Sequence, residues 1–251
     1  MDHARIERAA RLLVDARKTG RKLAGLPVDS RPQTAEEALA VQEFAMRLNG
    51  ARPGAWKVGG PPGSGTTYAP IYSVDVYESP ARIPLAKYEG LQVEGEVAFR
   101  LRDSLPGSGR PYSADQVARA VHGVCAAFEI GVSRFVDFNA ASLPEKIADS
   151  LNNGGFVYAS AASSWRSLDW RTLHVTMKIN GNDHLDKTGG KPGSDPFTLL
   201  VWAANHINGS LGLRANEFVT TGSWTGLYAA RPGDEISVAF DGIGEVWLRC
   251  D

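Results

Sequence analysis

The chain has two cysteines in 251 residues, a formal net charge of −1 and no apolar run near the ~20 residues of a membrane span. Each scarcity removes a class of protein. Cys125 and Cys250 have neither CxxC spacing nor the density of a disulfide framework, which suits a reducing compartment, and neither reads as a nucleophile. With 27 basic against 28 acidic residues there is no electrostatic footprint for nucleic acid or an anionic membrane. Arg17, Lys18, Arg21 and Lys22 fall at the end of the first expected helix, where cations complement the helix dipole, and they read as surface. The first eight residues lack the apolar stretch of a secretory signal, so a cytoplasmic location is expected and Asn208-Gly-Ser210 carries no glycosylation meaning.

Familiar catalytic motifs are missing too. The five histidines show no HExxH or other ligand spacing, and none is assigned to catalysis. Gly59-Gly-Pro-Pro-Gly-Ser-Gly65 lacks the Gly-Lys-Ser/Thr of a phosphate loop, and its prolines remove backbone donors; it reads as a mobile loop placed to cover a site beside Lys57. Thr220-Thr-Gly-Ser-Trp-Thr-Gly226 is not a nucleophile elbow. It offers either N–H groups and hydroxyls to an anionic substrate or a plain strand-to-loop turn.

What is present is a helical amino-terminal portion (residues 1–50) followed by a β-rich core (51–251), expected as one domain of α+β class. Residues 4–18 put Ile6, Ala9, Ala10, Leu13 and Ala16 on one helical face, and Thr34-Ala-Glu-Glu37 is a capping box for a second helix through Leu48. Period-two texture predicts strands over 54–58, 71–77 and 91–99. Ser113-Ala-Asp-Gln116 caps a helix leading into a strand at 124–130. Ser194-Asp-Pro196 opens a strong apolar helix that Asn208-Gly209 stops, and a hairpin turning at Asp241-Gly-Ile-Gly244 closes the chain.

Within this frame Glu94 and Glu96, one residue apart on a strand, project to one face while Val93, Val97 and Phe99 project to the other. Alternating charges also mark a solvated strand face. Glu129 stands in the apolar run Val124-Cys-Ala-Ala-Phe-Glu-Ile130, where an unpaired carboxylate is costly to desolvate, so it is either a buried partner of an arginine or a third ligand. Three converging carboxylates would hold a hard cation such as Mg²⁺ or Mn²⁺. Lys57, between Trp56 and Val58, is a proton donor to a developing anion or else a snorkelling surface lysine. Asp75 is a second acid or base candidate, or an exposed strand residue.

An ordered series of short motifs runs through the chain: Ala38-Leu-Ala-Val-Gln42, Gly54-Ala-Trp-Lys-Val-Gly59, Val93-Glu-Gly-Glu-Val-Ala-Phe99, Phe128-Glu-Ile130, Ile147-Ala-Asp149 with Gly154-Gly-Phe-Val157, and Thr221-Gly-Ser-Trp-Thr225. In that order it resembles the 2-keto-4-pentenoate hydratase and 4-oxalocrotonate decarboxylase group of the fumarylacetoacetate hydrolase superfamily. The resemblance implies a fumarylacetoacetate-hydrolase-like β-rich fold and a Mg²⁺ or Mn²⁺ site on Glu94, Glu96 and Glu129. It also implies Lys57 and Asp75 as the proton-handling pair, Gly222, Ser223 and Thr225 as orienting the substrate, and Asp149 as lining the pocket. Members that hydrolyse carbon–carbon bonds usually have aspartate as the third ligand, so Glu129 points to hydration of a 2-hydroxy-2,4-dienoate, with decarboxylation of a 2-oxo-3-enedioate as the alternative. A carbon–carbon hydrolase or a non-catalytic partner subunit is the further alternative. The family implies a homo-oligomer acting on a small 2-oxo or 2-hydroxydienoate acid. One departure stands out: the family often has Glu-Ile-x-Asp-Ser-Arg, whereas Glu129-Ile-Gly-Val-Ser-Arg134 has Val132 in place of the aspartate, which implies the loss of a carboxylate that orients the ligands.

Overall fold

The computed structural model describes residues 1–60, 65–107, 109–162, 164–189, 195–207 and 212–251. Its helices are α1 (His3–Thr19), α2 (Ala35–Leu48), α3 (Ala114–Ala120), α4 (Leu143–Ala148) and α5 (Pro196–His206). The strands are β1 (Pro53–Gly59), β2 (Thr67–Tyr72), β3 (Val76–Glu78), β4 (Ala81–Ile83), β5 (Gln92–Leu101) and β6 (Val121–Gly131). They continue as β7 (Asn153–Tyr158), β8 (His174–Ile179), β9 (Asn182–Thr188), β10 (Phe218–Ala229), β11 (Glu235–Phe240) and β12 (Gly244–Cys250).

The amino-terminal helices form where their caps and apolar faces direct. The Asp2 carboxylate accepts the Arg5 N–H at 2.9 Å, and Gly20 ends α1 in the left-handed conformation. Ala9, Ala10, Leu13 and Val14 then pack with Ala38, Val41 and Ala45 of α2 and with Ile147 and Ala148 of α4. The Thr34 cap forms, its hydroxyl accepting the Glu37 N–H, and the Glu37 carboxylate accepts the N–H of Gln33 at 2.8 Å.

Seven strands form one sheet in the order β2-β1-β10-β5-β6-β7-β3, and five form another in the order β4-β12-β11-β8-β9. The edges of the first sheet, β2 and β3, are joined only by the single turn Ser73–Asp75, so the sheet has to curl round until its edges meet. Its inner face carries small or flat side chains that fit a tight curl: Ala55, Ala98, Cys125, Ala127, Phe156 and Phe218. The outer face, with Trp56, Val97, Phe99, Phe128 and Val157, packs on Val175, Met177, Ile236 and Val238 of the second sheet and on Leu199, Leu200 and Ala203 of α5. Alternation along each strand thus separates a large apolar core from a narrow interior.

The strand expected over 71–77 is corrected. Its texture spans two strands and the turn between them, and Asp75 sits buried in the turn rather than on a strand. The closing hairpin pairs Phe240 with Gly244 as its Asp-Gly turn requires, with Gly242 at a φ of 73°. Asp195 caps α5 through the Phe197 N–H; Ser194, the Asn208-Gly209 stop and most of the loop after Gly60 lie outside the described residues.

Candidate metal centre

Strand register, rather than sequence proximity, assembles the acidic cluster. Glu94 lies directly opposite Glu129 in the antiparallel β5–β6 pair, and Glu96 lies opposite Ala127, so all three carboxylates share the inner face. One oxygen from each falls within 4.8 Å of the others. Like charges facing each other across a ladder are destabilising. Three carboxylates against the Lys57 ammonium leave two negative charges, the amount one divalent cation neutralises.

Each carboxylate is held separately. β10 bulges between its pairings with Ala98 and Glu96, and Gly222, at a φ of 97°, turns its N–H onto Glu96 Oε2 at 2.9 Å. The Thr220 hydroxyl donates to the same oxygen. The nearby Ser223 hydroxyl draws the Glu94 carboxyl down. On Glu129, Oε1 receives the Lys57 ammonium at 2.6 Å and the Asn153 amide at 3.3 Å, while Oε2 is buried with no hydrogen-bond partner among the described residues. Lys57 Nζ also donates to the Leu151 carbonyl at 3.2 Å.

The electrostatics follow from burial and crowding. Burial, reinforced by Glu129 and Glu94, pushes the Glu96 carboxyl up to about 8 against the pull of Thr220 and Lys57. Glu94 is raised by burial and by Glu129. Burial pulls Lys57 down, yet Glu129, with Glu96 and Glu94 behind it, outweighs that pull and leaves the lysine raised and charged. An all-oxygen donor set with one buried, unpartnered carboxylate oxygen and two carboxyls that resist ionising fits a hard divalent cation.

Asp75 is not one of the three clustered carboxylates. Its carboxylate takes Arg17 at 3.0 Å, Lys87 at 2.6 Å and the Tyr88 hydroxyl at 3.0 Å, beside a separate cavity of about 230 Å³ that also includes Val132 and Gly154 but none of the three glutamates. Val132 borders that cavity, with its side chain close to Gly154. Asp149 is likewise committed: its oxygens accept from Arg134 and from the Ser133 hydroxyl, and it is buried. Gly222 does meet the cluster, through its N–H on Glu96, and Ser223 pairs with Glu96 across the ladder. The Thr225 hydroxyl instead takes the Gly95 N–H at 2.8 Å, and its methyl lies where a Gly95 side chain would project, on the face away from the glutamates.

Thr220, Leu151 and Asn153 are neighbours of the site that sequence reasoning missed. The last two depend on the turn Ser150–Asn152, whose residues have φ of 53°, 52° and 57°. Three successive non-glycine residues in the left-handed region each cost roughly 1–2 kcal/mol. Arg134 holds them there by donating to the carbonyls of Val132, Asp149 and Asn153 as well as to the Asp149 carboxylate. The run Asn152-Asn153-Gly-Gly155 hints at a turn, but nothing in it announces contact with Glu129.

Comparison with known proteins agrees with this architecture. A 2-hydroxyhexa-2,4-dienoate hydratase of Comamonas testosteroni is 28% identical over 255 residues, 95% of each chain. A 4-oxalocrotonate decarboxylase of a Pseudomonas species is 31% identical over 173 residues, 67% of this chain and 64% of the relative. Among solved structures, 4-oxalocrotonate decarboxylase from Pseudomonas putida G7, complexed with magnesium and adipate, superposes with a TM-score of 0.85 at 20% identity, covering 100% of this chain and 99% of that one. Fumarylpyruvate hydrolase from Pseudomonas aeruginosa, in complex with Mn²⁺ and pyruvate, gives 0.55 at 16% identity over 78% of this chain and 88% of that one. The profile of the fumarylacetoacetate (FAA) hydrolase C-terminal family matches residues 64–249, and the chain belongs to that family.

Proposed function

We propose that the chain is a divalent-metal-dependent carbon–oxygen lyase that adds water to a 2-hydroxy-2,4-dienoate, giving a 4-hydroxy-2-oxo acid, as in meta-cleavage breakdown of aromatic compounds. The observation that carries this reading is the buried cluster of Glu94, Glu96 and Glu129 with the charged Lys57 against it. The hydratase relative, aligned along 95% of both chains, supports the substrate class. Mg²⁺ or Mn²⁺ is the proposed ion; magnesium and manganese appear in the solved relatives.

A cation held by the three glutamates would supply Lewis-acid polarisation of the substrate's 2-oxo group and carboxylate. The chain supplies the rest. Thr220 and the Gly222 N–H fix Glu96, so its oxygens are placed before substrate arrives. Hydration needs a proton delivered to carbon and another taken from water, and Lys57 Nζ is the proton-carrying atom at the cluster, aimed by Glu129 and the Leu151 carbonyl. Decarboxylation of a 2-oxo-3-enedioate needs only the delivery step. This second reading is supported by the decarboxylase relative.

Purified protein with Mg²⁺ or Mn²⁺ and each substrate separates the two. Loss of the dienoate absorbance without gas is expected; released CO₂ from the enedioate moves the assignment to decarboxylase, and no turnover of either substrate with metal bound overturns both. We propose a single domain that assembles as a homo-oligomer. The exposed Val28, Val136 and Leu143 are available to such contacts, and light scattering on the purified chain tests it. No described helix is long and apolar enough to cross a membrane.

A further inference from the structure

Glu129 has two oxygens in different circumstances, and Asn153 accounts for the difference. Oε1 carries both hydrogen bonds, from Lys57 at 2.6 Å and from Asn153 Nδ2 at 3.3 Å, whereas Oε2 is bare and buried. Lys57 alone does not fix the carboxylate's rotation, because a flexible ammonium follows whichever oxygen is presented. A planar amide whose other hydrogen is committed to the Gly155 carbonyl at 3.4 Å does fix it. Asn153 is fully buried, and its backbone carbonyl is gripped by Arg134 at 2.7 Å and Arg17 at 3.2 Å. Its own Oδ1 is a second buried acceptor with no partner among the described residues.

We infer that Asn153 is a positioning residue for the metal: its amide N–H holds the rotation of Glu129 and leaves the unpartnered Oε2 available to the cation that the three glutamates would hold. The inference rests on the divalent-metal reading of the cluster. It gives the strained turn Ser150–Asn152 a purpose, since that turn sets both the Leu151 carbonyl on Lys57 and the start of β7 at Asn153. Partners that orient ligands in this way typically change metal affinity 10- to 100-fold when removed.

The test is Mn²⁺ titration of the metal-free protein, read by the loss of the free-ion electron paramagnetic resonance signal. It compares wild type with Asn153→Ala and the bulkier Asn153→Leu, each checked for cooperative melting. A rise of roughly 10-fold or more in Kd in both variants, with native melting kept, is the expected result. A Kd within twofold of wild type in either folded variant overturns the inference. Affinity that disappears together with cooperative melting in both assigns Asn153 to folding and overturns it as well. Failure of the wild type itself to bind Mn²⁺ overturns the metal reading, which keeps the two failures distinct.

Discussion

Glu96 makes the stability of the metal-free protein depend on pH in an unusual direction. Its carboxyl rises from 4.5 to about 8, chiefly through burial and then through Glu129 and Glu94, so between these values the folded chain keeps a proton that the unfolded chain releases. The folded state binds more protons there, and stability falls as pH climbs. At 1.36 kcal/mol per unit the effect reaches roughly 5 kcal/mol by pH 8.5, a large share of a 5–15 kcal/mol total. Glu94 slopes the same way, as do Asp149 and Glu217, both raised by burial, so the wild-type curve alone does not isolate Glu96. Glu96→Gln does, because the amide keeps the shape and cannot ionise. Urea melts of metal-free protein are expected to give similar stability for the two proteins near pH 5 and a widening advantage for the variant up to pH 8.5. Excess Mg²⁺ or Mn²⁺ should narrow that gap at pH 8.5, since ligand at 100 times its Kd adds about 2.7 kcal/mol to the protein that binds it. Parallel pH curves for wild type and Glu96→Gln would refute the reasoning.

Lys57→Met should lower turnover by roughly 10²- to 10⁴-fold, with Mn²⁺ binding retained because a competing cation has left the cluster; unchanged turnover would favour a non-catalytic scaffold. Arg134→Ala strands the buried Asp149 and frees a turn with three left-handed residues, so a loss of about 3–5 kcal/mol is expected in urea melts, far above that of an exposed arginine. Gly95→Ala places a methyl 2.7 Å from Thr225 Cγ2 and 2.9 Å from Val238 Cγ2, between the two sheets, and should cost about 1–3 kcal/mol by thermal melting.

How far the site was legible depended on whether a contact is local. Glu94 and Glu96 share a face because a strand alternates, a property of two residues and their neighbour. Asp75 was misplaced for a physical reason: alternation over 71–77 cannot reveal that the chain must break at Tyr72 to carry it from one sheet edge to the other. Its partners Arg17 and Lys87 lie 58 and 12 residues away. Thr225 was misread because a bulged strand does not keep simple parity, and only the pairing with β5 shows which way its side chain turns. Asn153 was invisible because its role depends on a turn held by Arg134, 19 residues upstream.

Glu129 shows what supplies the missing information. A one-residue slip of β6 against β5 would send Glu129 into the inter-sheet core and bring Phe128 and Ile130 to the interior, because strand parity reverses. Val124, Phe128 and Ile130 of β6 are all fully buried on the outer face of that pair, worth together roughly 4.5–9 kcal/mol at 1.5–3 kcal/mol each. That matches or exceeds the roughly 5 kcal/mol by which an ionised Glu96 opposes folding at high pH. The apolar face therefore decides the register, and the register forces three repelling carboxylates together on the other face. The proposed cation would then be held by a site whose geometry is maintained by side chains that never touch it. Shortening Phe128 should accordingly weaken metal binding only as far as it loosens the β5–β6 pair, whereas changes at Glu94, Glu96 or Glu129 should weaken binding even when folding is intact.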